Sequence, residues 1–141
     1  MKKAIIIYNS RTGTTKTFGK NIHDYLINKE INPQIKSIDE IDKFDFSGYD
    51  YIFVGCWTSG LLFFMQKPEK SWIEFAQKMP ILDSTKTVLF TTYKIRTGSM
   101  FNGMRRHLEF ENDSYNKYEF KSRNGELSEK NKLLIDMFLQ N

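Results

Sequence analysis

The densest run of groups able to bind an anion follows an apolar segment, Ala4 to Tyr8, near the start of the chain: Asn9-Ser10-Arg11-Thr12-Gly13-Thr14-Thr15. Four hydroxyl residues, Ser10, Thr12, Thr14 and Thr15, fall within six positions around one glycine. A helix opening at such a run aims unpaired backbone N–H groups and about half a positive charge at the loop, and with the hydroxyls this makes a phosphate cradle. A polar capping turn needs only one hydroxyl and a glycine, so this run exceeds capping requirements. Two better-known phosphate loops do not fit. Gly13 stands alone where G-x-G-x-x-G needs three glycines. The G-x-x-x-x-G-K-[ST] pattern fails at Gly13 and Gly19-Lys20, where the spacer is one residue too long and Asn21 replaces the magnesium-binding hydroxyl. Nucleoside triphosphate hydrolysis is therefore disfavoured.

Other chemistries find little footing. Cys56 abuts an apolar strand with no cationic neighbour in sequence to lower its pKa, which reads as a structural thiol. With two histidines, His23 and His107, it makes too small a set for structural zinc, and alone it cannot form a disulfide within the chain. Both histidines fall inside helical segments away from the loops. The carboxylates Asp39, Glu40, Asp42 and Asp45 read as a solvated connection. No spacing indicates a catalytic nucleophile with its base, so no catalytic or metal-binding residue is expected. The net charge of +4 is scattered apart from Lys2-Lys3 and Arg105-Arg106, which lends nucleic-acid binding little support.

The elements that must position the loop follow from periodicity. A chain of 141 residues, 40% hydrophobic and 27% charged, suits one globular domain spanning 1–141. Ala4 to Tyr8, Tyr51 to Gly55 and Thr87 to Phe90 are continuous apolar runs, as in central strands covered on both faces. Weaker strands are expected near Gln34 to Ile38 and Tyr118 to Ser122. A helix from near Thr14 presents Phe18, Ile22, Tyr25 and Leu26 on one face. Pro68 suits a first helical position ahead of Trp72, Phe75, Ala76 and Met79. Ser99 is expected to cap a helix carrying Met100, Met104, His107 and Leu108, and Ser128 a last helix burying Leu133, Leu134, Met137 and Phe138. The segment from Asp39 to Tyr49 has no long helical period, so a helix there is short or missing. The alternation predicts an α/β fold: a five-stranded parallel sheet wrapped on both sides by right-handed crossovers, with ligands at the carboxyl ends of its strands.

On that sheet, Ser10, Thr12, Gly13 and Thr15 match [S/T]-x-T-G-x-T and resemble the FMN-phosphate loop of the flavodoxin family. Tyr49-Asp50-Tyr51-Ile52-Phe53-Val54-Gly55 resembles that family's Y-D-x-[IVL]-x-[FV]-G segment, followed by a first flavin-ring loop at Trp57-Thr58-Ser59-Gly60. Thr91-Thr92-Tyr93 resembles the second ring loop, and Phe120 to Ser128 the last strand and turn, so the resemblance covers nearly the whole chain. It implies a flavodoxin-like three-layer sandwich of strand order 2-1-3-4-5 that binds FMN and shuttles electrons between a reductase and an acceptor protein, and the single cysteine with the short apolar run after Met1-Lys2-Lys3 leads to the expectation of a cytoplasmic location. Ser10 to Thr15, Arg11 and Thr14 included, would hold the phosphate. Trp57 to Gly60 and Thr91 to Tyr93 would frame the ring, with Tyr93 covering one face. Ser59 stands where many family members carry an aromatic, and Lys94 and Arg96 stand in a loop whose usual surround is acidic or neutral.

The apolar run Leu61, Leu62, Phe63, Phe64 and Met65 reads as core, as a docking surface or as a lid over the ring. It also supports a second function, an FMN-dependent oxidoreductase acting on a quinone, tetrapyrrole or other apolar molecule. A third is an interaction module of the same fold without FMN. No apolar stretch approaches the roughly 20 residues of a membrane span, and Met1-Lys2-Lys3 followed by five apolar residues is too short for a signal peptide.

Overall fold

The computed structural model describes residues 1–61, 64–111 and 118–140, with the backbone alone at positions 60, 61, 64 and 65. In chain order the elements are β1 (Lys3–Asn9), α1 (Thr14–Asn28), β2 (Asn32–Ser37), a 3-10 turn (Ile38–Glu40), β3 (Tyr51–Trp57), β4 (Ser59–Leu61), β5 (Phe64–Lys67), α2 (Lys70–Ala76), β6 (Leu82–Asp83), β7 (Thr87–Thr92), α3 (Met100–Arg106), β8 (Phe110–Glu111), β9 (Glu119–Ser122) and α4 (Glu129–Leu139). Five strands form one sheet in the order β2-β1-β3-β7-β9, every pair parallel. This is the expected 2-1-3-4-5 arrangement, in which the first crossover runs one way and the later ones the other.

Alternation along the central strands divides the core in two. Ile5, Ile7, Ile52, Val54 and Leu89 point to one face and pack with Trp72, Phe75, Met100 and Met104 from α2 and α3. Ala4, Ile6, Phe53, Val88 and Phe90 point to the other and meet Phe18, Ile22 and Leu26 of α1 and Ile135 and Phe138 of α4. Successive residues of a strand are thus buried on opposite faces, which is why these runs carry no polar alternation.

Several local expectations need correction. Pro68 lies before the helix rather than in its first turn: Glu69 is the N-cap of α2, its side chain accepting from the Ser71 amide. Ser99 occupies the N-cap position of α3 but does not cap it, because its hydroxyl donates to the Gln66 carbonyl at 2.9 Å. Ser128 does cap α4, its Oγ accepting from the Asn131 amide at 3.1 Å. Along α4 the buried face is Asn131, Ile135 and Phe138, whereas Leu133 is 60% and Met137 49% exposed. The helix is turned from its most apolar face because the buried Asn131 amide donates to the Lys121 carbonyl, pinning that residue to the end of β9. Between β2 and β3 there is only the turn Ile38–Glu40, closed by the Ser37 amide donating to Glu40 at 2.9 Å. That bond holds the Glu40 carboxyl below its ordinary range, as the Ser47 side chain and amide do for Asp45. The antiparallel pair β4–β5 and the two-residue pair β6–β8 lie outside the main sheet and were not expected.

Candidate functional site

The sheet delivers three loops to one end. After β1, Asn9 donates to the Glu69 carboxylate at 2.9 Å, tying the loop's entry to the cap of α2. The Ser10 hydroxyl then accepts from the Gly13 amide at 3.0 Å, folding the loop back to the helix start. Gly13 is the N-cap of α1 with φ +96 and no side-chain cap bond. A residue with a Cβ would be strained there by about 1–2 kcal/mol, although nothing lies within 4 Å of the position a Cβ would take. The left-handed turn therefore leaves the first amides of α1 facing outward without a capping side chain, the condition for holding an anion.

Hydroxyls lock the three loops together. Thr15, 1% exposed, shares a 2.6 Å hydrogen bond with the Thr92 hydroxyl. Thr91 donates to the Cys56 carbonyl at 2.6 Å and lies 2.9 Å from the Thr58 hydroxyl. The Thr58 amide donates to the Thr92 carbonyl at 2.8 Å, extending the β3–β7 pairing past Trp57. The ends of β3 and β7 and the first turn of α1 are thereby fixed relative to one another.

Between these ends lies a cleft of about 270 Å³. Arg11, Thr12, Thr14 and Thr15 form the side that follows β1, and Trp57, Thr58 and Ser59 the β3 side. Thr92 and Tyr93 close it from β7. Ser10, Gly13, Gly60 and Thr91 are not among its walls: Ser10 and Gly13 shape the turn, Gly60 lies in β4, and Thr91 is buried with its hydroxyl committed to Cys56. The Arg11 guanidinium lies 5.3 Å from the Trp57 ring centroid, and Lys121 and Arg123 lie 5.7 and 5.6 Å from that of Tyr93. Gln66, Ile95 and Arg123 also line the cleft and were not expected there, nor were Lys94 and Arg96 assigned a role. Arg123 follows the last sheet strand at its carboxyl end, a position signal that was available. Gln66 arrives through β5, whose pairing had no sequence signature.

Among the described residues the walls carry four cationic side chains, Arg11, Lys94, Arg96 and Arg123, and no carboxylate. Of the apolar run expected to dock or cover a ligand, Leu62 and Phe63 lie outside the described residues, and for Leu61, Phe64 and Met65 only the backbone is described, in β4 and β5. His23 pairs with Asp24 at 3.1 Å and His107 ends α3, both away from the cleft. Among the described residues no cluster of three His, Cys, Asp or Glu side chains could hold a metal ion. No helix among them is long and apolar enough to cross a membrane.

Cys56 is wholly buried beside the cleft, and burial is the main cause that pushes its thiol from 9.0 up to about 12. The folded protein is accordingly expected to resist alkylation by iodoacetamide at pH 8, with labelling appearing only in denaturant, as followed by mass spectrometry. Because the folded thiol keeps a proton that the unfolded thiol releases, this group's contribution to stability is complete below pH 9 and is lost as pH rises toward about 12. Rapid labelling in native buffer would contradict a buried, protonated thiol.

Comparison with known proteins gives a consistent result. The sequence model of the flavodoxin domain family matches residues 5–139. A flavodoxin of Maridesulfovibrio salexigens is 36% identical over 61 residues, which is 43% of this chain and 42% of that protein, so the match spans less than half of either. Among solved structures, two-electron reduced Megasphaera elsdenii flavodoxin superposes with a TM-score of 0.67 at 18% identity, over 98% of this chain and 99% of the other. Oxidised flavodoxin 1 from Bacillus cereus gives 0.66 at 14% identity, over 99% and 96%. At those identities the structural likeness establishes the fold alone.

Proposed function

The chain belongs to the flavodoxin domain family, and from that premise we propose that it is an FMN-binding electron carrier, acting as one domain over residues 1–141. The observation that carries this reading is the meeting, in one cleft, of an uncapped helix N-terminus ringed by hydroxyls with two aromatic side chains, Trp57 and Tyr93. The donor set suits the cofactor's two ends. Thr12, Thr14, Arg11 and the first amides of α1 would hold the phosphate dianion, with Ser10 and Gly13 keeping the turn open. Trp57, Thr58 and Ser59 on one side and Thr92 and Tyr93 on the other would frame the ring, while Gly60 carries the first ring loop on into β4 and Thr91 holds the strand ends in register. Bound FMN supplies the redox chemistry, and the protein supplies binding, orientation and electrostatics.

Its partners are a reductase and an acceptor protein, and a carrier with one buried cysteine suits the reducing cytoplasm. With a net charge of +4 and cationic cleft walls, docking favours acidic partner surfaces. Rapid mixing of the reduced, FMN-loaded protein with oxidised acceptor proteins of opposite charge tests this reading. Transfer to the acidic acceptor should slow roughly tenfold between low and high salt, and transfer to the basic one should not slow. The reverse salt dependence would contradict it. Sustained turnover of a small quinone without any protein partner would favour the oxidoreductase reading instead.

A further inference from the structure

The cleft's charge balance has a consequence for the reduced cofactor. Arg11, Lys94, Arg96 and Arg123 line it, and among the described residues none of the four pairs with a carboxylate. Each aromatic wall also has a cation beside it, Arg11 at Trp57 and both Lys121 and Arg123 at Tyr93. Two electrons and one proton convert the neutral oxidised isoalloxazine ring into a singly charged anion, the electrons coming from a reduced partner protein that is oxidised in step. Any negative charge appearing on a ring within this cleft develops against positive charge on several sides, and Coulomb attraction lowers its free energy relative to the neutral ring.

We propose that Lys94 and Arg96, together with Arg11 and Arg123, bias bound FMN toward its two-electron-reduced anion, making this a carrier of raised reduction potential suited to acceptors of correspondingly higher potential. The inference rests on FMN occupying the cleft. Lys94 and Arg96 are both exposed, so screening by water and salt keeps the effect of each modest, and it is their sum that matters.

The test compares two affinities. The FMN-free protein is titrated with oxidised FMN and, anaerobically with excess dithionite, with reduced FMN. The phosphate is common to both forms, so the ratio of the two dissociation constants isolates the charge on the ring. In the Lys94→Gln/Arg96→Gln double variant, reduced FMN should lose about tenfold more affinity than oxidised FMN, which for a two-electron couple is a potential lower by about 30 mV. The Lys94→Arg/Arg96→Lys double variant should keep the parent ratio, and so should Lys78→Gln, a charge removed at the far end of α2. Equal losses for the two forms would mean that the cations serve only the phosphate and would overturn the proposal. So would the same shift from Lys78→Gln, which would trace it to overall charge. If the parent protein binds neither form, it is the FMN-binding reading that fails, and the inference falls with it.

Discussion

Gly55→Ala is expected to destabilise the protein by about 3 kcal/mol or more, at the upper end of what overpacking a core costs. Gly55 lies in β3 with Tyr8 of β1 and Phe90 of β7 as its register neighbours. A Cβ built on it would sit 2.1 Å from Cε2 of Phe90, far inside van der Waals contact. Phe90 cannot swing clear. It is fully buried, and its ring packs edge-on against Phe18 of α1 at 5.7 Å between centroids. The absent side chain is therefore the space in which Phe90 lies, and Phe90 is the surface on which α1, with the turn from Ser10 to Thr15 at its head, rests. A thermal melt of the variant should fall by roughly 10–20 °C. Pairing it with Phe90→Leu, which withdraws the ring's leading edge, should recover a substantial part of that loss. A melting temperature within a few degrees of the parent's would refute this account of the glycine.

The central sheet was legible because its strands are buried on both faces: Ala4 to Tyr8 and Tyr51 to Gly55 announce themselves as unbroken apolar runs. Helix α1 was legible because Phe18, Ile22 and Leu26 repeat on one face and the hydroxyl run marks its start. Apolar patterning failed as a guide where a polar contact outweighed it. Asn131 is drawn inward by the Lys121 carbonyl, and this turns Leu133 and Met137 of α4 outward. It also failed where pairing is too short to leave a period, as at β6 and β8. Strand β7 outran its apolar stretch, continuing through Thr91 and Thr92 because their hydroxyls find partners, Cys56 for one and Thr15 for the other. Of the candidate site, the parts carried by local pattern were legible, namely the loop from Ser10 to Thr15, Trp57 and Tyr93. Gln66 and Arg123 reach the cleft through long-range contacts that no local window contains.

Discrimination between FMN and riboflavin should be the largest binding effect the protein displays. The two ligands share the ring and differ in the phosphate, and only the phosphate can use the amides at the head of α1 and the hydroxyls of Thr12 and Thr14. Hydrogen bonds to a charged group contribute about 1.5–3 kcal/mol each, so losing two of them weakens binding by roughly 100- to 10,000-fold. Thr12 lines the cleft and is exposed, so Thr12→Ala should remove one such bond, at roughly tenfold to a hundredfold in affinity, without lowering the melting temperature. Thr15→Ala differs in kind, since it leaves the buried Thr92 hydroxyl without its 2.6 Å partner and should lower stability as well.

The most direct measurement is a fluorescence titration of the FMN-free protein with FMN and with riboflavin, repeated on Thr12→Ala. Quenched, one-to-one binding of FMN at least 100-fold tighter than riboflavin, with Thr12→Ala closing part of that gap, is the result this account predicts. Equal affinity for the two flavins, or a Thr12→Ala variant that binds FMN as tightly as the parent, would contradict it.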